Sequence, residues 1–462
     1  MNRLVLFTTL LMAAGAAGAT PNLAGIWQGK LSLTGITLTV ILNIKADTKN
    51  SFTASMSVPE QGAQDLPADT VEQTGQKVRI EFKGINGVFE GTFSKNGKEI
   101  TGNWTQNSNT LPLTFKRASH PEVLVRPQIP KPPFPYKSEE VTIKNSLDVG
   151  VTLSGTLTIP EGNGPFPAIL LIAGSGPNNR DENVLGHPIF LVLADHFTRC
   201  GFAVLRCDKR GIGKSTGNYA MATTMDFASD AEAEVNYLHN LPEVSPGNIF
   251  LIGHSEGGVI APIVATKISW LAGIVLLAGT GEPGNKILLE QSRLIAAAEG
   301  ETKDQINLNS ILSKSLYAIL KNEADPVKAA VEMKKAFKRN AAGKLMPEAQ
   351  VNATIEALNS PWMRFFLFYD PQIALRKVRC PVLAVDGSLD LQVPPVKNLK
   401  AITEGLKKGG DKDVTTHLFP GLNHLFQPCK TGSPIEYAHI PTTFSPEAME
   451  YVTQWLKDHV RK

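Results

Sequence analysis

Two hydrophobic periodicities divide this chain. From residue 23 to about 118, short runs alternate apolar and polar positions with a period of two. Residues 36–42 read Ile-Thr-Leu-Thr-Val-Ile-Leu, residues 78–82 Val-Arg-Ile-Glu-Phe and residues 89–93 Phe-Glu-Gly-Thr-Phe. A strand with one face in a core and the other in water produces that pattern. Asn96-Gly97 falls between two such runs, where a tight hairpin needs residues that tolerate positive φ. The expectation for residues 20–118 is therefore a small all-β barrel or sandwich. Trp27 and Trp104 are expected as core anchors rather than ligand stackers.

A proline-rich stretch over 127–135 interrupts the alternation and marks residues 119–136 as an extended linker. Beyond it the pattern changes. Residues 141–143 and 151–159 suit an antiparallel opening pair. Runs at 168–173, 203–207, 249–252, 273–277 and 382–385 are short and almost continuously apolar. Such runs fit strands buried on both faces of a parallel sheet, with helical patterns such as 226–241 between them. The expected class for 137–462 is α/β, a mostly parallel sheet with helices on both faces and ligands at the carboxyl ends of its strands. The interval 282–378 breaks the rhythm with Leu, Ala, Lys and Glu in helical spacing. Inserted between two core strands, it is expected to form a helical cap. Its aromatic cluster at 362–369 either packs cap on core or lines an apolar acyl pocket.

Length and composition fit this picture. At 462 residues, with 42% apolar and 19% charged residues, the chain is an ordinary globular protein of two or three domains. A net charge of +3 favours neither nucleic acid nor an anionic membrane surface as partner. Arg3, the apolar run 4–12 and Ala17-Gly18-Ala19 have the order of a secretory signal peptide over 1–19, which predicts a secreted or periplasmic protein. No later run is long enough to predict a membrane span. Cys200, Cys207, Cys380 and Cys429 either pair in that compartment or remain plain buried thiols. Zinc-type Cys/His spacing is missing, and Gly213-Lys214-Ser215 is no P-loop because Asp208 stands where the first glycine is required. Neither metal nor organic cofactor is expected.

The candidate chemistry begins at Gly253-His254-Ser255-Glu256-Gly257, placed where a buried strand ends and a helix begins. A sharp turn there lifts a serine hydroxyl above the sheet edge, and the glycines supply the room that the turn needs. A serine hydroxyl is a poor nucleophile until a base takes its proton and an acid orients that base. Asp390, in the loop after the strand at 382–385, is the expected acid. Asp386 is its rival, nearer the strand end and suited to structuring the turn. His424 in Pro420-Gly421-Leu422-Asn423-His424 is the expected base, ahead of His417, which lies inside a strand pattern; His254 is expected to point into the elbow packing. The developing oxyanion needs N–H donors. One is expected from Glu256, directly after the serine, and the second from Ser175 or, next, Gly176 in Ala173-Gly174-Ser175-Gly176-Pro177.

These motifs, with Arg180-Asp181, Asp208-Lys209-Arg210-Gly211-Ile212-Gly213-Lys214-Ser215 and Val393-Pro394-Pro395, resemble the α/β-hydrolase superfamily over residues 137–462. Within it the chain is similar to EstD-like bacterial serine esterases, related to the dienelactone hydrolase and prolyl-peptidase-like branch. The resemblance implies a carboxylesterase acting on small-molecule esters, preferably of short acyl chains, with Ser255, Asp390 and His424 as its triad. Asp208 and Arg210 are then expected to lock the loop after their strand. The usual histidine-glycine before the oxyanion loop is Ala173-Gly174 here. Competing expectations are an amide or peptide hydrolase using the same triad, and a binding protein on an inactive hydrolase scaffold. The N-terminal β region lies outside the resemblance; delivery to glycan or lipid is one role open to it.

Overall fold

The structure, a computed structural model, describes residues 21–33, 36–47, 51–61, 63–106, 109–120 and 125–462. The expected signal peptide at 1–19 lies outside the described residues. The chain divides into two compact units, Met1–Val123 and Leu124–Lys462.

The first unit is one antiparallel sheet of nine strands: β1 (Gly25–Leu33), β2 (Ile36–Ala46), β3 (Phe52–Val58), β4 (Ala63–Pro67), β5 (Thr70–Thr74), β6 (Lys77–Phe82), β7 (Gly87–Phe93), β8 (Glu99–Gln106) and β9 (Asn109–Ala118). Their order is β4-β3-β2-β1-β9-β8-β7-β6-β5, an open half-barrel. The alternation sets its inside: Val78, Ile80 and Phe82 of β6 are buried with Trp27, Phe89, Trp104 and Phe115, while Arg79 and Glu81 face outward. Both tryptophans are core anchors, and the Trp27 indole donates to Leu23 O at 2.8 Å. Asn96-Gly97 closes the β7–β8 hairpin, with Gly97 at φ +68° and its N–H donating to Ser94 O. The concave side keeps a cavity of about 380 Å3 among Leu38, Val40, Met56, Val58 and Trp104.

The second unit contains an eight-stranded sheet. An antiparallel start, β10 (Tyr136–Lys144) and β11 (Thr152–Pro160), leads into β12 (Phe166–Ile172). A two-stranded hairpin, β13 (Asn183–Val184) and β14 (His187–Pro188), precedes α1 (Ile189–Arg199) and β15 (Ala203–Cys207). Then follow α2 (Thr224–His239), β16 (Val244–His254), α3 (Gly257–Ala265) and β17 (Gly273–Leu277). The order β10-β11-β15-β12-β16-β17-β18-β19 is completed by β18 (Val382–Gly387) and β19 (Val414–Phe419), and β15 through β19 with β12 run parallel.

Successive residues of β12, and Ala173 just after it, point to opposite faces. Ala168, Leu170 and Ile172 enter one apolar cluster with α2 and α3, while Ile169, Leu171 and Ala173 enter another with α1 and the C-terminal helix at 446–458. That double burial is why the run is continuously apolar. Arg126, directly before the proline-rich stretch, and Gln128 within it bond to backbone carbonyls of Leu185, Gly186, Ala438, Ile440 and Phe444, which ties this segment to the rest of the second unit.

Between β17 and β18 the chain inserts α4 (Gly284–Ala298), α5 (Lys303–Asn322), α6 (Pro326–Arg339), α7 (Ala341–Lys344), α8 (Glu348–Leu358), α9 (Pro361–Phe368) and the short α10 (Gln372–Leu375). Leu312, Leu316, Met333, Phe337, Ile355 and Leu367 give α5–α9 their own apolar centre. The fold ends with α11 (Pro395–Gly409) between the last two strands and α12 (Pro446–Asp458). Among the described residues no helix is long and apolar enough to cross a membrane.

Candidate active site

The turn from β16 into α3 is as tight as its glycines suggest. Ser255 has φ +53°, in the left-handed region that a side chain adopts only under strain. A Cβ on Gly253 would lie 2.0 Å from Gly257 O, and one on Gly257 would lie 2.0 Å from Ile172 O. Neither position admits any other residue. The Ser255 N–H donates to Leu277 O at 2.9 Å, which pins the turn to β17.

Asp390 and His424 come from loops after β18 and β19 and meet below the surface. His424 Nδ1 lies 2.6 Å from Asp390 Oδ2, and both side chains are buried. Asp390 Oδ1 accepts from the N–H groups of Gln392 and Val393 at 2.7 and 2.8 Å, so the carboxylate is held at both oxygens. Asp386 accepts from its neighbour Gly387 N–H at 2.8 Å. Burial, reinforced by the charge of Asp390, pushes its carboxyl well above the usual range. His417 lies on β19 and stacks on Tyr451 at 4.3 Å between ring centroids, among packing contacts.

A second acid–histidine pair, which the sequence reading did not single out, lies beneath the first. His254 Nδ1 is 3.0 Å from Glu182 Oε1, and its Nε2 is 3.1 Å from the backbone carbonyl of His424. Burial alone would depress proton binding by this imidazole. The Glu182 charge and hydrogen bond outweigh it and raise His254 above the ordinary range. Glu182 Oε1 also accepts from Gly174 N–H at 2.6 Å. His254 thus packs into the elbow as expected, with a partner that only the fold reveals. The sole sequence signal for Glu182 is its place directly after Arg180-Asp181.

Glu256 is buried, and three side chains hold it. Lys209 Nζ lies 3.1 Å from Oε2; Thr224 Oγ1 and Trp362 Nε1 donate to Oε1 at 2.8 and 2.6 Å. Asp208 and Arg210, flanking Lys209, turn to other partners: Asp208 to Arg180 at 2.8 Å and Arg210 to Asp230 at 2.7 Å. Both ion pairs lock the loop after β15.

A cavity of about 110 Å3 opens between these parts. Ser175, Ser255 and Glu256 line it from the core, Ile287, Leu288, Trp362 and Phe366 from the insertion, and Gln392 and Val393 from the Asp390 loop. Trp362 stacks on Phe366 at 5.1 Å, so the aromatic cluster contributes both packing and cavity wall. Four cysteines are free thiols, and among the described residues no group of three or more His, Cys, Asp or Glu is placed to hold a metal ion.

An eight-stranded mixed sheet, a strained serine between β16 and α3, and a helical insertion before β18 together define an α/β-hydrolase. The chain belongs to the family described as serine aminopeptidase S33 (Hydrolase_4), whose pattern matches residues 189–427. Among curated relatives it is 26% identical over 328 residues to the esterase EstD of Thermotoga maritima, covering 70% of this chain and 68% of that protein. It is also 24% identical over 323 residues to an uncharacterised 31.7 kDa protein of Escherichia coli, covering 68% of this chain and 98% of that one. Among solved structures, a Pyrococcus furiosus esterase superposes with a TM-score of 0.43 at 16% identity, over 74% of this chain and 100% of that one. The protein is a serine hydrolase of the α/β-hydrolase family, esterase-like by homology.

Proposed function

We propose that this protein is a secreted or periplasmic carboxylesterase that works through an acyl-enzyme on Ser255. The observation that carries the reading is the buried His424–Asp390 contact at 2.6 Å, on the two loops that follow β18 and β19, in a chain whose β16 ends in the strained Ser255. Asp390 fixes the imidazole with Nδ1–H toward the carboxylate, which leaves Nε2 as the proton acceptor.

Ser255 Oγ attacks the ester carbonyl carbon while its proton passes to His424 Nε2. The carbonyl oxygen becomes an oxyanion facing the N–H groups of Glu256 and Ser175, with Gly176 next in line. When the intermediate collapses, the bond to the alcohol oxygen breaks and His424 returns the proton to the leaving alcohol. Water then enters, gives a proton to His424 and attacks the acyl carbon, and Ser255 leaves with that proton. The product is a carboxylic acid, and no step needs a cofactor.

Ester rather than peptide substrates fit the wall chemistry. An aminopeptidase needs an unspent carboxylate for the substrate ammonium. The one carboxylate among the cavity's described lining residues that adjoins Ser255 is Glu256, already neutralised by Lys209 and bonded to Thr224 and Trp362. A cavity of about 110 Å3 suits a short acyl group. The order of Arg3, residues 4–12 and Ala17-Gly18-Ala19 supports export. Hydrolysis of p-nitrophenyl esters of rising chain length, beside aminoacyl and prolyl amides, tests the reading. Short esters should be turned over fastest; amides hydrolysed in preference to every ester would overturn it.

A further inference from the structure

The lysine between Asp208 and Arg210 points to a role that the ester-cleaving reading, on which this inference rests, does not assign. Lys209 is 8% exposed at its side chain, and its ammonium reaches three partners on three elements. Nζ donates to Gly174 O at 2.6 Å and to Glu256 Oε2 at 3.1 Å, and lies 4.3 Å from the centre of the Phe227 ring. The Lys209 N–H also donates to Asn178 O at 3.2 Å, tying its loop to the segment after β12.

The bond to Gly174 O bears on the next residue. A trans peptide is planar, so the Gly174 carbonyl and the Ser175 N–H point in opposite directions. Lys209 and Asn178 Nδ2, the latter at 2.9 Å, hold the carbonyl from one side, which turns the Ser175 N–H to the other. Gly174 N–H is already spent on Glu182 at 2.6 Å. Among the described residues, the N–H groups of Ser175 and Glu256 have no protein acceptor, and both residues line the cavity that holds Ser255. One buried cation is thus bonded to the carbonyl of the peptide that supplies one unspent donor and to the side chain of the residue that supplies the other.

We propose that Lys209 is a positioning residue for the oxyanion site, holding the Gly174–Ser175 peptide and Glu256 so that their N–H groups face one carbonyl oxygen. The ammonium does this in two ways. It fixes the peptide plane, so the donor is oriented before substrate arrives. It also withdraws electron density through the amide, which strengthens the N–H as a donor in a site where water does not screen the charge.

The test uses the full-length protein and the carbonyl stretch of its acyl-enzyme. An acyl group on Ser255 shows an infrared band that moves to lower wavenumber as the oxyanion donors bond its oxygen more strongly. Lys209→Met keeps the length of the side chain and removes the charge. Lys209→Met with Glu256→Gln also removes the carboxylate that the single change leaves unpaired, and keeps the test usable if the single variant does not fold. Each variant is first shown to be folded by circular dichroism. In both, the band should move to higher wavenumber, and kcat should fall by roughly ten- to hundredfold, somewhat less than the loss of a direct oxyanion donor, with KM within about threefold. Asn178→Ala, which removes the second donor to the same carbonyl, should shift the band in the same direction by less. An unmoved band with kcat near wild type in a folded variant overturns the role of Lys209 while leaving the esterase reading intact. A wild-type protein that forms no acyl band overturns both.

Discussion

The Trp362 indole donates to the Glu256 carboxylate at 2.6 Å, so a helix of the insertion is bonded to the residue that directly follows Ser255. Insertion and elbow are one mechanical unit at this point, and the same ring walls the cavity beside Phe366. Two substitutions separate the roles. Trp362→Phe keeps the wall and removes the bond; a hydrogen bond to a charged group contributes about 1.5–3 kcal/mol, so kcat/KM should fall about tenfold or more. Trp362→Ala also removes the wall, and its optimum in a chain-length series of p-nitrophenyl esters should move to longer acyl groups. An unchanged optimum would remove Trp362 from the acyl pocket.

Asp390 and Asp386 are four residues apart, and Asp390 is the one that touches the His424 imidazole, at 2.6 Å. Asp390→Asn should lower kcat by about 10⁴, the loss expected when the imidazole no longer has its orienting carboxylate. Asp386→Asn leaves the contact between His424 and Asp390 in place and should leave kcat within about tenfold. Stability should respond to pH. Because the folded-state proton affinity of Asp386 is raised by burial, its contribution is fully present below the ordinary carboxylate range and is lost as pH rises toward the folded value. The melting temperature of Asp386→Asn relative to wild type should therefore improve from acid to alkaline pH. The reverse kinetic ranking would exchange the two roles.

The Glu182–His254 pair makes a similar prediction for a histidine. Its proton affinity is raised, so its stabilisation is complete below the ordinary histidine range, about pH 6.5, and fades as pH rises through the folded value. Glu182→Gln breaks a buried pair, a change that typically costs about 3–5 kcal/mol. The loss of melting temperature should be greatest on the acid side of neutrality and shrink at alkaline pH. A pH-independent loss would mean that Glu182 acts only as an acceptor for Gly174 N–H.

Much of this was legible in the sequence because single residues bear the constraint. The continuous apolar runs specify strands covered on both faces, and Gly253 and Gly257 tolerate no Cβ, so the elbow could be placed to the residue. Asp390 and His424 follow from loop positions after strands. The illegible part consists of contacts between distant segments. Glu182 pairs with a histidine 72 positions later, and Trp362 reaches a residue 106 positions earlier. Lys209 was hidden between neighbours whose charges serve the loop. Whether the β region closes or stays open also escapes a two-residue period, since the alternation is the same in a barrel and in the half-barrel found.

We expect the two units to be separable for small substrates. The hydrolase unit has its own sheet, clusters and candidate triad. A protein beginning at residue 125 should hydrolyse a short soluble ester with kcat within about tenfold of full length, a barrier change below about 1.4 kcal/mol. Loss of that activity in a shortened protein with native circular dichroism would give the half-barrel a part in catalysis.

The most direct measurement is site-resolved labelling with a fluorophosphonate probe, read by peptide mass spectrometry. Ser255 is the one serine in the chain held at positive φ among the described residues, at the start of a helix and on the wall of the cavity. The account predicts one label per chain, located on Ser255, abolished together with ester hydrolysis by Ser255→Ala in a protein that still folds. Labelling of Ser175 in its place, or full turnover in the alanine variant, would contradict it.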